Sequence, residues 1–251
     1  MNPSGNPPRR FRYLELLTLV LLLATVGASA FKFKSSVLDL DLGWHLTTGD
    51  WILAHAAVPH TGLFTWTASD HPWAAYSWGY EILLSLAHAR FGIVGIGVFG
   101  VLLTLAVAYA IYWMARRLSG NFWMACLIAV FACAAFLLAL NPRPVFFSMI
   151  LFCVTLALLM EGRRAGREKL LYWLPLVFLL WANLHIQFVY GLFAVGLLLG
   201  VSVLENLLKL LKWQPSWLQF SNVRVLPLLI VFAACLLATC IGPRLNRSTN
   251  H

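Results

Sequence analysis

Seven apolar runs constrain this chain more than any other feature: Leu14–Phe31, Ile93–Met114, Phe122–Leu140, Val145–Met160, Leu170–Asn183, Phe188–Leu204 and Val225–Ile241. A helix needs roughly 20 residues to cross about 30 Å of hydrocarbon, where each backbone amide must be bonded within its own segment. The second and third runs reach that length without a charged residue, whereas the fourth and fifth must borrow flanking residues. The pattern predicts an all-α, polytopic transmembrane helix bundle of about seven spans. Composition agrees: only 11% of residues are charged, against about a quarter in soluble domains. The first run follows Arg9, Arg10 and Arg12 and has no separate small-residue cleavage site, so it is read as a retained anchor rather than a signal peptide.

The net charge of +9 would suit nucleic acid only if it formed a patch on one surface. Here the basic residues lie at the ends of apolar runs, which excludes that partner. With the N-terminus inside, twelve Lys and Arg fall on the cytoplasmic side, among them Arg116, Arg117, Arg163, Arg164 and Arg167, and six fall outside. The positive-inside rule therefore predicts a cytoplasmic N-terminus, an extracytoplasmic C-terminus and a multi-pass protein of the cell inner (plasma) membrane. Residues 1–12 form a disordered cytoplasmic N-terminus, 13–243 the transmembrane module and 244–251 a tail. All five cysteines sit inside apolar runs and read as core filler.

Residues 32–91 form the one long hydrophilic segment, the first extracytoplasmic loop. It holds every Asp of the chain (Asp39, Asp41, Asp50 and Asp70), with five of seven histidines and five of eleven tryptophans. Asp41 to His55 has helical character and stops before Pro59. Trp44, Trp51 and His55 share one face of that helix. Phe64 to Thr67 alternates and reads as extended. Ser77 is placed to cap a second amphipathic helix running to about Arg90, with Glu81, Ser85 and His88 on its polar face and Ile82, Leu83 and Leu86 toward lipid or the bundle. The loop should thus fold as two short interfacial helices.

Three constellations carry chemistry. In Asp39-Leu-Asp41-Leu-Gly-Trp-His45, two carboxylates two residues apart can share a divalent cation or divide acid and base work, with His45 one turn on. The bland reading is a helix cap above a packed histidine. In Asn141-Pro-Arg-Pro144 the prolines force a tight turn that holds Arg143, whose planar fork suits phosphate or carboxylate; the alternative is a snorkelling Arg at a helix end. In Trp181-Ala-Asn183-Leu-His185-Ile-Gln187, polar groups cluster at a span end, where a lone His is usually structural. The predicted topology brings all three to the same side, as a site built from loops on a helical scaffold requires. Nucleotide-binding, zinc-protease, hydrolase-elbow and heme motifs are absent, and no charged residue sits mid-span to support an ion-coupled transporter.

Asp39-x-Asp41-x-x-Trp44-His45 with Gly49-x-Trp51-Ile52, then Val58-Pro59-x-Thr61-x-x-Phe64, then Pro72-Trp73-x-x-x-Ser77-Trp78-x-x-Glu81, resembles the first outer loop of bacterial GT-C-type integral-membrane glycosyltransferases. The style is similar to rhizobial lipopolysaccharide-core sugar transferases and, more distantly, protein mannosyltransferases. Arg143-Pro144-x-x-Phe147-Ser148 and Trp181-Ala-Asn183-x-His185 resemble two later motifs of that group, in the expected order. The likeness runs from about Leu14 to Pro243.

It implies a cell-envelope enzyme that takes a sugar from a polyprenyl-phosphate donor to an acceptor hydroxyl on the outer face. Asp39 or Asp41 would activate the acceptor or orient the donor, with Mg²⁺ or Mn²⁺ as the cation such a pair would hold. Arg143 would meet the phosphate, and His45, His60, Glu81, Asn183 and His185 would bind substrate. The chain departs from the pattern at Ile186-Gln187 and at Ile241-Gly-Pro-Arg244. Relatives of this type run on with further spans and an outer domain, so a truncated module, a fragment and a compact member all stay open. The alternatives are a non-catalytic membrane subunit that binds a lipid-linked sugar and a small transporter or flippase.

Overall fold

The computed structural model describes residues 9–32, 40–62, 64–67, 71–136, 143–213 and 223–241. The apolar runs become helices almost run for run. They are α1 (Arg9–Lys32), α2 (Leu40–His55), α3 (Trp78–Ser119), α4 (Phe122–Phe136), α5 (Val145–Gly162), α6 (Leu174–Leu184), α7 (Phe188–Leu210) and α8 (Val225–Cys240), with a 3₁₀ turn over Glu168–Trp173 before α6. There is no strand among the described residues; one isolated bridge joins Thr61 to Pro72. Three helices, α3, α5 and α7, are long and apolar enough to cross a membrane, and Tyr13–Ser29, Phe122–Ala134 and Val225–Cys240 are shorter apolar helices. α6, at 11 residues, spans only about 16 Å by helical rise.

Two packed clusters hold the bundle. One gathers Leu171, Leu174, Phe178, Trp181, Val195, Leu228 and Cys235 from α6, α7, α8 and the 3₁₀ turn. The other joins Leu42, Tyr80, Leu84, Ile96, Val107, Ala129 and Phe146 across α2, α3, α4 and α5. α5 contributes Leu151 and Leu159 to the first and Phe146 and Cys153 to the second, so it is the shared wall. Large apolar side chains point outward in number: Leu102, Phe131, Phe193, Leu197, Leu204 and Leu237 are more than half exposed. An apolar outer surface of this kind is expected where lipid, not water, is the solvent.

α3 is two helices joined without a linker. Gly92 has φ 58° and ψ −146° in the middle of it, a backbone region open essentially to glycine. The turn is sharp: a methyl group on Gly95 would overlap the carbonyl oxygen of Ala87, eight residues back and about 12 Å away in a straight helix. The arm 78–91 is the second loop helix expected from the sequence, and 93–119 is the apolar arm expected to span.

Two expectations are corrected. Ser77 occupies the N-cap position but makes no capping bond; its hydroxyl is buried and bonds to no described residue. The stretch from Phe64 is a tight turn, with Thr65 N and Thr65 Oγ1 both donating to Gly62 O at 3.0 and 2.8 Å, and not an extended segment.

Candidate functional site

The polar face of the 78–91 arm turns inward. Glu81 and Ser85 are buried while Leu83 and Leu86 are exposed. In a membrane protein the apolar face has lipid to cover it, so the polar stripe is free to pack against a neighbour. That neighbour is α2, and the two helices approach closely because residue 49 is glycine: a side chain there would overlap the carbonyl oxygen of Glu81. The close approach places His45 Nδ1 3.0 Å from Glu81 Oε1. One turn further on, the Ser85 hydroxyl donates to Asp50 Oδ1. Because an ionised carboxylate only accepts, Nδ1 of His45 carries the proton and, in the neutral ring, the lone pair lies on Nε2.

Asp41 stands in the first turn of α2. Its Oδ2 lies 3.4 Å from Arg143 Nη2, and both side chains are substantially exposed. The loop's acidic segment and the start of α5 therefore meet. His185, just past the end of α6, lies 2.8 Å from Ser148 Oγ through Nδ1. Ser148 also accepts from Trp181 Nε1 at 2.8 Å. The indole can only donate, so the serine proton is available to His185 Nδ1, and that ring carries its own proton on Nε2. Burial, with the nearby His45 adding to it, pushes the His185 pKa down to about 4. His185 is neutral at pH 7.

Asn183 has its groups in use. Oδ1 accepts from Trp78 Nε1 at 3.0 Å, and Nδ2 donates to Leu179 O at 2.7 Å and Ile241 O at 3.2 Å. It ties the start of α3 to the ends of α6 and α8. His60 is exposed; its carbonyl accepts from Trp73 N at 2.8 Å, and it lines a small hollow with Pro59, Trp78 and Asn183. Asp39, Asn141 and Pro142 lie outside the described residues.

Beside Asp41 and His45 opens a cavity of about 360 Å³, lined also by Trp44, Trp73, Ser77 and Glu81 among others. Trp44 and Trp73 meet edge to face, with ring centroids 5.6 Å apart. Glu81 Oε2 and Ser77 Oγ are buried from the cavity's space and bond to no described residue. Among the described residues no three His, Cys, Asp or Glu side chains are grouped to hold a metal ion. The one described carboxylate of the Asp pair, Asp41, lies against Arg143.

Of the expected site residues, the structure brings Asp41 to Arg143, His45 to Glu81, and His185 to the vicinity of His45. The sequence reading missed Ser148 as a partner of His185 and Trp73 as a wall of the cavity. Proline-flanked Trp73 carried no spacing signal, whereas Ser148 falls three residues into an apolar helix, where a lone hydroxyl needs a partner. No family model matches the chain, and neither a curated protein nor a solved structure matches it.

Proposed function

We propose that this chain is a GT-C-type membrane glycosyltransferase module. It moves a sugar from a polyprenyl-phosphate donor to an acceptor hydroxyl on the extracytoplasmic face, within a seven-span bundle whose N-terminus is cytoplasmic. The resemblance in the loop, in Arg143-Pro144 and in Trp181-Ala-Asn183-x-His185 suggests the reaction. One structural observation carries the reading: Asp41 with Arg143, His45 with Glu81 and His185 with Ser148 stand together at one end of an apolar bundle. Arg143 is exposed where the phosphate of a lipid carrier would arrive, and the apolar flanks leave its prenyl tail in lipid. An acidic loop residue, Asp39 or Asp41, orients the donor or helps the acceptor attack.

The direct test is release of free polyprenyl phosphate by the purified protein in nanodiscs supplied with polyprenyl-phosphate hexoses and pentoses. An Asp39→Asn/Asp41→Asn variant is expected to keep its fold and lose transfer. A second reading, a subunit that binds a lipid-linked sugar without turning it over, is favoured by the engagement of Asp41 with Arg143. Saturable donor binding without release of polyprenyl phosphate would select it, and uptake of the labelled donor into proteoliposomes would instead select a flippase.

A further inference from the structure

The cavity beside α2 contains more than the resemblance assigns to it. At about 360 Å³ it lies at the lower end of the roughly 300–1,000 Å³ usual for small-molecule sites. Two indoles at 85° to one another give it an aromatic corner, the surface on which the C–H face of a sugar ring packs. Ser77 and Glu81 also line it, although Glu81 Oε2 and Ser77 Oγ are themselves buried from its space and have no hydrogen-bond partner among the described residues. The other oxygen of Glu81 holds His45 by Nδ1, which directs the basic Nε2 lone pair away from the carboxylate.

We infer that His45 is the proton acceptor of the proposed transfer, with Glu81 as its positioning residue, and that the acceptor substrate is itself a carbohydrate whose hydroxyl sits in this cavity. This rests on the glycosyl-transfer reading. The acceptor oxygen forms a bond to the anomeric carbon while the anomeric C–O bond to phosphate breaks. Its electron pair leaves on the phosphate, and the hydroxyl proton passes to His45 Nε2. Asp41, held by Arg143, stays at the phosphate end.

The full chain in nanodiscs, given decaprenyl-phosphate hexoses and pentoses with a lipid-linked disaccharide as acceptor, separates the two claims. If the wild type releases no decaprenyl phosphate from any donor, the transfer reading falls and the base role falls with it. The carbohydrate site is then judged alone, by whether methyl glycosides quench tryptophan fluorescence saturably and lose that effect in Trp73→Ala; no saturable quenching overturns it.

With turnover in hand, His45→Gly is expected to lower kcat at least 100-fold, within the roughly 10²–10⁴-fold of general-base catalysis. Its KM for acceptor should stay within threefold, and added imidazole should restore at least tenfold. Glu81→Gln should lose 10- to 100-fold in kcat, and His55→Gln, an exposed control, should be unchanged. If His45→Gly does not fold, His45→Gln is read the same way, without rescue. A kcat within threefold of wild type in either His45 variant, or a loss in His45→Gly that imidazole leaves untouched, overturns the proposal.

Discussion

Glu161 and Glu205 at one end of the bundle and Glu81 at the other are all buried, with 5%, 5% and 2% of their surface exposed, yet their surroundings differ. Glu161 receives Arg164 on one oxygen at 3.0 Å and Arg167 on the other at 2.7 Å, and Glu205 receives Arg163 at 3.3 Å. Among the described residues Glu81 has a histidine on one oxygen and no partner on the other. The first end is closed: its buried carboxylates are paired within the fold, between the ends of α5 and α7 and the turn that follows α5. The second is left with unmet bonding capacity beside a cavity. A carboxylate matched by arginines holds helices together, while one paired with a histidine holds that ring in a fixed orientation.

The contrast is easiest to break at the closed end. Arg164→Gln with Arg167→Gln leaves the buried Glu161 without either of its cations and should cost about 1–3 kcal/mol, because both arginines are more than half exposed. Thermal unfolding in detergent reads this directly, and adding Glu161→Gln should recover most of the loss. Glu81→Gln in the otherwise natural chain should leave the unfolding temperature within about 2 °C, because the oxygen it neutralises had no ion partner to lose. An equal loss at both ends would remove the distinction.

The approach of α2 to α3 is the next lever. Gly49→Ala forces the helices apart and should cost about 2–3 kcal/mol, separating His45 from Glu81. Gly43→Ala, with open space around it, should be neutral or stabilising by about 0.5–1 kcal/mol through helix propensity.

The open end should also be the acid-sensitive one. His185 has its pKa pushed down to about 4 in the folded chain, below the ordinary 6.5 or so of the unfolded one. The unfolded chain therefore takes up a proton first as pH falls. The stability this neutral ring contributes is complete above about pH 6.5 and is lost between there and pH 4, to the extent of about 1–2 kcal/mol once solvent screening is allowed for. Unfolding temperatures measured across that range should slope less in His185→Gln; an unchanged slope would remove His185 as the cause. The smallest effect belongs to Asp41→Asn. Its pair with Arg143 is substantially exposed, so stability should change by less than about 0.5 kcal/mol, whatever happens to turnover.

Much of the scaffold was legible because hydrophobic run length and helix boundaries report the same physics. α5, α7 and α8 start at Val145, Phe188 and Val225, where the apolar runs start. The boundary between the loop's second helix and the following span falls at the glycine between Arg90 and Ile93. Pairing was less legible. Glu81 reads as one member of a polar stripe, and periodicity defines a stripe without saying what covers it. Here the cover is a helix that begins some forty residues earlier, and Gly49 decides how near it comes. Ser148 and His185 were each visible in their motifs, but the bond between them spans 37 residues and left no mark on either. Asn183 shows the reverse case: a polar residue in a suggestive motif whose bonds turn out to go to Trp78, Leu179 and Ile241.

The elbow at Gly92 has a consequence for scale. The 42 residues of α3 would form a rod of about 63 Å if straight, twice the thickness of a bilayer's oily interior. On such a rod Glu81 would ride about 16 Å beyond residue 92 along the axis, far from anything α2 offers. A hydrogen in place of a methyl group at position 92 lets the chain double back on itself, and at Gly95 the same economy of atoms leaves room for the fold. The reach of the whole cavity is set by what those two positions lack.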